Sequence, residues 1–170
     1  FKSFLTTKLL WGLGVNKSVL RQHDEYRKKF LKENPHVKSF KVDAPGGATI
    51  DGLCYHNASQ TVKPLHQQKF IFTLNGSATL YEYILHPLKY ACEDTGANVI
   101  AMNYRGVSRS TGYPRESKDL VRDAEAVLHY LLGRGVEFKN ILVHGHSIGG
   151  GVGAELCAAY PDLNFCSDRS

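Results

Sequence analysis

Several features that would assign a class directly are missing from the sequence. No apolar run approaches the roughly 18 residues that a membrane-spanning helix needs. The four cysteines form no C-x-x-C pair and no zinc-binding spacing, which argues against a redox motif and a zinc site. They lie in or beside apolar runs, so we expect buried free thiols and a reducing compartment such as the cytoplasm. We expect neither a metal ion nor an organic cofactor.

No internal repeat and no low-complexity linker divides the chain, and its 170 residues are enough for one domain with a buried core. The chain starts at Phe1 and stops at Ser170, shortly after an apolar run, so we expect a fragment cut at both ends. Residues 1–35 are predicted to form a basic helical segment, and residues 36–170 the amino-terminal part of a larger domain. The oligomeric state stays open.

Acidic side chains are scarce at the start of the chain. Residues 1–41 hold ten Lys or Arg and three Asp or Glu, a balance of +7, whereas the whole chain carries +5. Such an excess usually marks a solvated helix face, and the alternative is peripheral contact with an anionic membrane. The apolar stretch 4–14, "FLTTKLLWGLG", fits a helix packing face or an interfacial patch. We expect no nucleic-acid partner, and a membrane-peripheral or secreted location stays open beside the cytoplasm.

Hydrophobic periodicity predicts alternating strands and helices. A basic amphipathic helix over residues 17–32 ends before Pro35, because proline disfavours helix in the residue before it. A helical stretch from Tyr81 is interrupted by Pro87, and the clearest helix, over residues 117–133, is capped by Ser117 and closed by Gly133. Apolar runs predict strands at the following positions: 37–42, 48–56, 69–74, 98–103, 140–144 and 163–166.

The order of these elements predicts the fold class. The first two strands are joined by "APGG", whose proline and glycines suit a hairpin turn. The later strands alternate with helices, which argues for parallel crossovers. We therefore predict an α/β fold with a mostly parallel sheet and an antiparallel amino-terminal hairpin, truncated before its last strands.

The stretch "GHSIG" at 145–149 is a G-x-S-x-G pattern that directly follows a predicted strand and precedes a predicted helix. That context is typical of a nucleophile elbow, in which a strained turn exposes the serine Oγ. Side chains two residues before and after the serine would collide with the neighbouring strand and helix, so glycine is needed at Gly145 and Gly149. The pattern predicts Ser147 as a nucleophile. Further glycines at 150, 151 and 153 predict close helix packing.

Acyl transfer also requires hydrogen-bond donors for the oxyanion. In an elbow enzyme one donor is the backbone N–H of the residue after the nucleophile, here Ile148. The second comes from the turn after the strand at 69–74, where "LNGSA" offers flexible backbone. We predict the Ser77 N–H as this donor, with Ala78 as the alternative, and each donor contributes roughly 10²–10³ in rate.

A phosphate cradle is the competing interpretation of the same glycines. Residues 149–154 fit G-x-G-x-x-G/A, and Asp168 lies at about the distance expected of a ribose-binding acid. However, that fingerprint belongs in the first strand–helix turn of a sheet, whereas two crossover strands already precede it here. No Gly-Lys-Ser/Thr follows, which excludes a P-loop.

From about Val37 to Ser170 the chain resembles the α/β-hydrolase superfamily. The resemblance rests on four stretches: "FTLNGSATLYE", "NVIAMNYRGVSRSTGYP", "DLVRDAEAVLHYLL" and "ILVHGHSIGGGVGAEL". The run 104–114 is similar to the loop after the fourth strand in the bem46 and serine-aminopeptidase-like branch, where we expect a structural turn at Arg105 rather than a catalytic element. The "NG…YE" form of the turn also resembles the chlamydial CHLPS-type proteins.

The resemblance implies a triad in the order serine, acid, histidine. Only 23 residues follow Ser147, and none of them is a histidine. The acids among them are Glu155, Asp162 and Asp168. The neighbouring His144 and His146 are expected to point away from Oγ, and three further histidines would have to replace the usual base: His56, His66 and His86. We therefore expect acid and base in a missing carboxyl-terminal part, and this fragment to be nearly inactive.

The resemblance and the Ser147 motif together predict a serine hydrolase that acts on an ester, thioester or amide through an acyl-enzyme. Its substrate would be a small molecule, an acyl compound or a peptide. The first alternative is a non-catalytic binding or scaffold protein on the same fold, because fold alone does not secure activity. The second alternative is the dinucleotide-binding module.

Overall fold

The computed structural model describes residues 17–169, in which helices flank one six-stranded sheet. The strands are β1 (Val37–Ala44), β2 (Ala48–Tyr55), β3 (Phe70–Leu74), β4 (Asn98–Met102), β5 (Ile141–His146) and β6 (Asn164–Asp168). The helices are α1 (Lys17–Glu33), the single turn α2 (Ala58–Thr61), α3 (Leu85–Thr95), α4 (Lys118–Leu132) and α5 (Ile148–Ala159). Short 3₁₀ turns cover Leu65–Gln67, Tyr81–Tyr83 and Phe138–Asn140.

The strand order across the sheet is β1-β2-β4-β3-β5-β6. β1 and β2 form an antiparallel hairpin, and β2 also pairs antiparallel with β4. β4, β3, β5 and β6 are mutually parallel, so their carboxyl ends share one edge of the sheet. The predicted α/β class, with a mostly parallel sheet and an antiparallel amino-terminal hairpin, is confirmed.

Apolar cores fill both faces of the sheet. On one face α4 and α5 bury side chains against the sheet, and the five α4 residues that repeat at helical spacing are all buried: Leu120, Ala124, Val127, Leu128 and Leu131. On the other face α1 and α3 pack on β2 and β4 through Phe30, Leu85 and Leu88. α1 therefore belongs to the packed structure, although its charged side faces solvent. The predicted boundary between residues 1–35 and 36–170 stays a prediction.

The predicted ends of α4 are confirmed in position, because Ser117 directly precedes its first residue and Gly133 directly follows its last. The predicted capping geometry is wrong: Ser117 makes no side-chain capping hydrogen bond, and Gly133 has a right-handed φ of −63°. The Asp119 carboxylate accepts the N–H groups of Arg115 and Glu116, just before the helix. Pro87 does not interrupt a helix, because it lies in the first turn of α3, where helix N–H groups lack intrahelical acceptors anyway.

Over residues 17–169, every helix is too short or too polar to cross a membrane. The apolar stretch 4–14 lies outside the described residues.

Candidate active site

Ser147 lies between the last residue of β5 and the first residue of α5. Its backbone has φ 53° and ψ −121°, a conformation that costs a non-glycine residue about 1–3 kcal/mol. Two backbone hydrogen bonds hold the turn: Ser147 N–H donates to the Asp168 carbonyl at 3.0 Å, and Gly150 N–H donates to the Ser147 carbonyl at 2.9 Å. The strained conformation is therefore fixed from both sides.

Neither glycine flanking the serine has room for a side chain. A Cβ atom at Gly145 would lie 2.4 Å from the Gly149 carbonyl oxygen. A Cβ atom at Gly149 would lie 2.1 Å from the Leu74 carbonyl oxygen, at the end of β3. Backbone atoms cannot move away as a flexible side chain can, so this turn requires glycine at both positions.

The remaining glycines of the motif have different surroundings. A Cβ at Gly153 would lie 2.6 Å from the Phe165 ring, which is the close packing that was predicted. Gly151 faces open space, so the same prediction is wrong there. Because Gly149, Gly150 and Gly151 all lie inside α5, they form helical turns rather than a loop that wraps a phosphate. This placement disfavours the dinucleotide interpretation.

The loop 75–80 runs beside Ser147. A Cβ at Gly76 would lie 3.4 Å from Ser147 Cβ and 3.1 Å from His146 Cδ2. Ala78 has a left-handed φ of 56°, and both Ser77 and Ala78 are exposed. Neither of these two residues donates its backbone N–H to another described residue. The first turn of α5, which begins at Ile148, likewise has N–H groups without intrahelical acceptors.

Polar groups at the carboxyl end of β4 hold both ends of this loop. Asn75 Nδ2 donates to the Met102 carbonyl at 3.2 Å, and Tyr81 N–H donates to Asn103 Oδ1 at 3.0 Å. Asn103 Nδ2 in turn donates to the buried Glu82 carboxylate at 2.8 Å. The two ends of the loop beside Ser147 are thus bonded to Met102, the last residue of β4, and to Asn103 directly after it.

His146 pairs with an acid on the next strand. Its Nδ1 lies 3.1 Å from Asp168 Oδ2, and the two residues are in register across β5 and β6. Both side chains are about half exposed. His144 lies two residues earlier on the same face of the sheet, in register with Cys166. No described histidine is hydrogen-bonded to the Ser147 side chain, so a base for this serine is not identified within residues 17–169.

The other histidines named as possible bases lie elsewhere. His86 stacks edge-on against Phe30, with ring centroids 5.3 Å apart. His66 lies in an exposed 3₁₀ turn, and its carbonyl accepts a hydrogen bond from Asn140. His56 directly follows β2 and is half-buried. Burial lowers the pKa of its ring below the usual value, and the positive charge of Lys38 lowers it further. Among the described residues, no group of three His, Cys, Asp or Glu side chains is placed to hold a metal ion.

An open apolar trough of about 590 Å³ leads away from Gly76 and His146. It runs along the sheet face beside α3, and its apolar lining includes Ile71, Leu88 and Leu142. A larger depression of about 730 Å³ lies between the β1–β2 turn and the start of α4, lined by Arg105, Arg115 and Arg122 among others, and not by Ser147. Of these two cavities, the trough lies nearer the serine, because Gly76 and His146 line it.

The loop after β4 is anchored by a buried ion-pair cluster. Arg105 is 4% exposed and its guanidinium contacts Asp123 at 2.7 Å and Asp119 at 3.2 Å. Burial raises the pKa of Asp123, and the bonds from Arg105 act in the opposite direction. At Asp119 burial also acts to raise the pKa of the carboxyl, but contacts with Arg115, Arg122 and Arg105 together outweigh it and lower that pKa. Arg105 is therefore held in a buried ion-pair cluster, which agrees with the structural turn predicted at this position.

A model of the alpha/beta hydrolase fold family matches residues 73–163, more than half of the chain. The chain belongs to the alpha/beta hydrolase family. The predicted resemblance is thereby confirmed, and so is the predicted α/β-hydrolase fold.

Three relatives illustrate the range of similarity within the alpha/beta hydrolases. Over 66 residues, 38% of this chain, it is 41% identical to the protein bem46 of Schizosaccharomyces pombe. Over 137 residues, 79% of this chain, it is 27% identical to the phosphatidylserine lipase ABHD16A of Bos taurus. The crystal structure of an alpha-beta hydrolase from Vibrio vulnificus superimposes on 96% of the chain with a TM-score of 0.69 at 23% identity, a likeness of fold alone.

The chain spans 22% of bem46, 23% of the bovine lipase and 55% of the Vibrio vulnificus structure. It is therefore similar to a part of each. The predicted similarity to the bem46 branch is confirmed, and the similarity to chlamydial proteins stays a prediction.

Sequence reasoning missed two groups beside Ser147. One is the His146–Asp168 pair, which parallel pairing of β5 and β6 brings into register; the signal was a polar side chain at the carboxyl end of each of two successive strands. The other is the buried set that holds the loop 75–80, whose signal was a polar Asn103 at the end of an apolar strand. Neither set of contacts could be predicted before the strand order was known.

Proposed function

We propose that this alpha/beta hydrolase is a serine hydrolase with Ser147 as its nucleophile. The observation that carries the proposal is the strained backbone of Ser147 between β5 and α5, with glycine required on both sides. A strand–serine–helix turn of this kind exposes Oγ for attack. The adjacency of Gly76 to Ser147 supports an oxyanion site built from the loop 75–80 and the start of α5.

In this mechanism Ser147 Oγ attacks the carbonyl carbon of an ester, thioester or amide, and its proton passes to a general base. The carbonyl oxygen becomes an oxyanion, which accepts hydrogen bonds from the N–H groups of Ile148 and Ser77, with Ala78 as the alternative donor. Collapse of the tetrahedral intermediate expels the leaving group and gives an acyl-enzyme, which water then hydrolyses. We assign the elbow glycines, Gly145 and Gly149, the role of making this turn sterically accessible.

The similarity to a phosphatidylserine lipase supports lipid esters as the first substrates to test. The alternative is a binding or scaffold protein on the same fold. It is favoured by one observation, the lack of a described histidine bonded to Ser147. A carboxylate-paired His146 does not replace that base, because its ring shows no hydrogen bond to the serine.

Fluorophosphonate labelling of the full-length protein tests the proposal. The serine Oγ displaces fluoride from phosphorus, so a covalent adduct forms only on an activated serine. We expect the wild type and the matched variant Ser39→Ala, which alters an exposed serine on β1, to label on the peptide that contains Ser147. Ser147→Ala should not label. A folded wild type that does not react would overturn the hydrolase proposal and favour the scaffold.

A further inference from the structure

We propose that Glu82 and Asn103 form a buried clamp that sets the position of the loop 75–80 over Ser147. Glu82 is then a positioning residue for the oxyanion donors and does not touch the substrate. The inference rests on the proposed function for its effect on rate, whereas the clamp itself is a statement about the loop.

The Glu82 carboxylate is only 3% exposed. Its Oε2 accepts a hydrogen bond from Asn103 Nδ2 at 2.8 Å, and its Oε1 accepts one from Ser108 Oγ at 2.6 Å. Within residues 17–169 it has no ion-pair partner. Burying a carboxylate without a cation is costly, so an acid at this position calls for a role that a neutral residue would not fill.

The role of Glu82 is to orient the side chain of Asn103, because the amide group of Asn103 has a donor end and an acceptor end. It is 1% exposed; its Nδ2 donates to Glu82, while its Oδ1 accepts the backbone N–H of Tyr81 at 3.0 Å. An ionised carboxylate only accepts hydrogen bonds, so it forces the donor end of the amide towards itself. The acceptor end must then face Tyr81. A glutamine side chain at position 82 has both ends and would allow either orientation of Asn103.

This fixed amide acts on the loop beside Ser147. Tyr81 N–H is the point where the loop 75–80 enters its closing 3₁₀ turn, and Asn75 Nδ2 secures the other end on the Met102 carbonyl. Between these two anchors Gly76 approaches Ser147 and Ala78 holds a left-handed φ. A loop that slips at Tyr81 therefore moves the exposed N–H groups of Ser77 and Ala78 relative to the serine.

The clamp predicts that two substitutions, each of which weakens it alone, compensate each other in the double variant. Glu82→Gln weakens the charge-assisted bond and frees the Asn103 amide. Asn103→Asp places two carboxylates against each other. In the double variant, the amide introduced at position 82 donates to the carboxylate introduced at position 103, which still accepts Tyr81 N–H, so the hydrogen-bond pattern is restored with its polarity reversed. Glu93→Gln, on the exposed side of α3, removes the same charge and serves as the control.

Kinetics of the full-length protein on a soluble ester, with the fluorophosphonate labelling rate at Ser147, test this directly. We expect Glu82→Gln to lower kcat about tenfold with KM nearly unchanged, because oxyanion donors act mainly in the transition state. Asn103→Asp should lower kcat about 100-fold, which is within the range for one misplaced donor. The double variant should recover most of that loss in kcat. Hydrogen exchange of the Tyr81 amide should quicken in both single variants and return in the double variant.

The positioning role would be overturned if Glu82→Gln had the same kcat as the wild type. It would also be overturned if the kcat of the double variant were no higher than that of Asn103→Asp. Equal Tyr81 exchange in Glu82→Gln and Glu93→Gln would overturn the clamp itself. If the wild type fails to label at Ser147, the proposed function fails, and the exchange measurement still decides whether the clamp exists.

Discussion

Arg105 and Asp123 join the loop after β4 to the middle of α4 through two kinds of contact. The Arg105 backbone N–H donates to Asp123 Oδ2 at 2.8 Å, and the Arg105 Nε donates to Asp123 Oδ1 at 2.8 Å. Asp123 is fully buried and Arg105 nearly so. One carboxylate therefore fixes both the backbone and the side chain of a residue near the start of a long loop at the candidate active-site edge.

Asp123→Asn should destabilise the fold strongly. Removing one partner of a buried ion pair leaves an uncompensated charge and costs about 3–5 kcal/mol, and the remaining contact of Arg105 with Asp119 places the loss near the lower value. Urea unfolding monitored by circular dichroism measures it. The exposed Asp162→Asn is the matched control and should change the free energy of unfolding by less than about 0.5 kcal/mol. Equal stability of the two variants would contradict the anchoring role.

Two glycines of α5, two positions apart, should respond in opposite directions to alanine. Gly149→Ala places a Cβ on the Leu74 carbonyl oxygen, so we expect a loss of about 1–3 kcal/mol and labelling of Ser147 at least about 100-fold slower. Gly151→Ala points into open space on a helix and should gain about 0.5–1 kcal/mol with normal labelling. Thermal unfolding and labelling rates of both variants check the pair. Normal labelling in Gly149→Ala would argue against the strict glycine requirement.

Sequence periodicity was enough to place all six strands, because each is a short apolar run between turn residues. It also placed Ser147 between a strand and a helix. It was not enough for contacts that depend on strand order. Glu82 meets Asn103 only because β3 and β4 are neighbours, and His146 meets Asp168 only because β5 pairs with β6. Local rules placed Ser117 and Gly133 at the two ends of α4, but they did not give the hydrogen bonds there, since Ser117 makes no side-chain cap.

His56 should make the free energy of unfolding depend on pH below neutrality. Burial, together with the charges of Lys38, Arg134 and His36, lowers its pKa from the usual 6.5 in the folded protein. As the pH falls through 6.5 the unfolded chain takes up a proton that the folded protein does not, so stability decreases until the folded pKa is reached. His56→Gln should flatten this part of the profile, measured by urea unfolding between pH 5 and pH 8. The exposed His66→Gln should leave it unchanged; an equally steep profile in His56→Gln would contradict the assignment.

Contact with an anionic membrane surface is the alternative to a solvated helix face for the basic outer side of α1, and it can be tested. Lys28, Lys29 and Lys32 are exposed there, although Lys28 and Lys29 are partly neutralised by acids four residues away. A lysine near an anionic bilayer contributes about 1 kcal/mol, so replacing all three with glutamine should weaken binding to phosphatidylserine-containing vesicles at least about tenfold. Sedimentation with such vesicles, compared with phosphatidylcholine vesicles and at raised salt, measures the effect.

The control for this prediction carries the same charge change elsewhere on the surface. Lys63, Lys118 and Lys139 are exposed lysines outside α1, and replacing them with glutamine lowers the net charge by the same amount. If attraction depended only on the net charge of +5, the two triple variants would bind equally weakly. A specific contact through α1 requires the α1 variant to bind less than the control. Wild-type binding that ignores both salt and phosphatidylserine would rule out an electrostatic contact, because charge attraction is screened within a Debye length of about 8 Å in physiological salt.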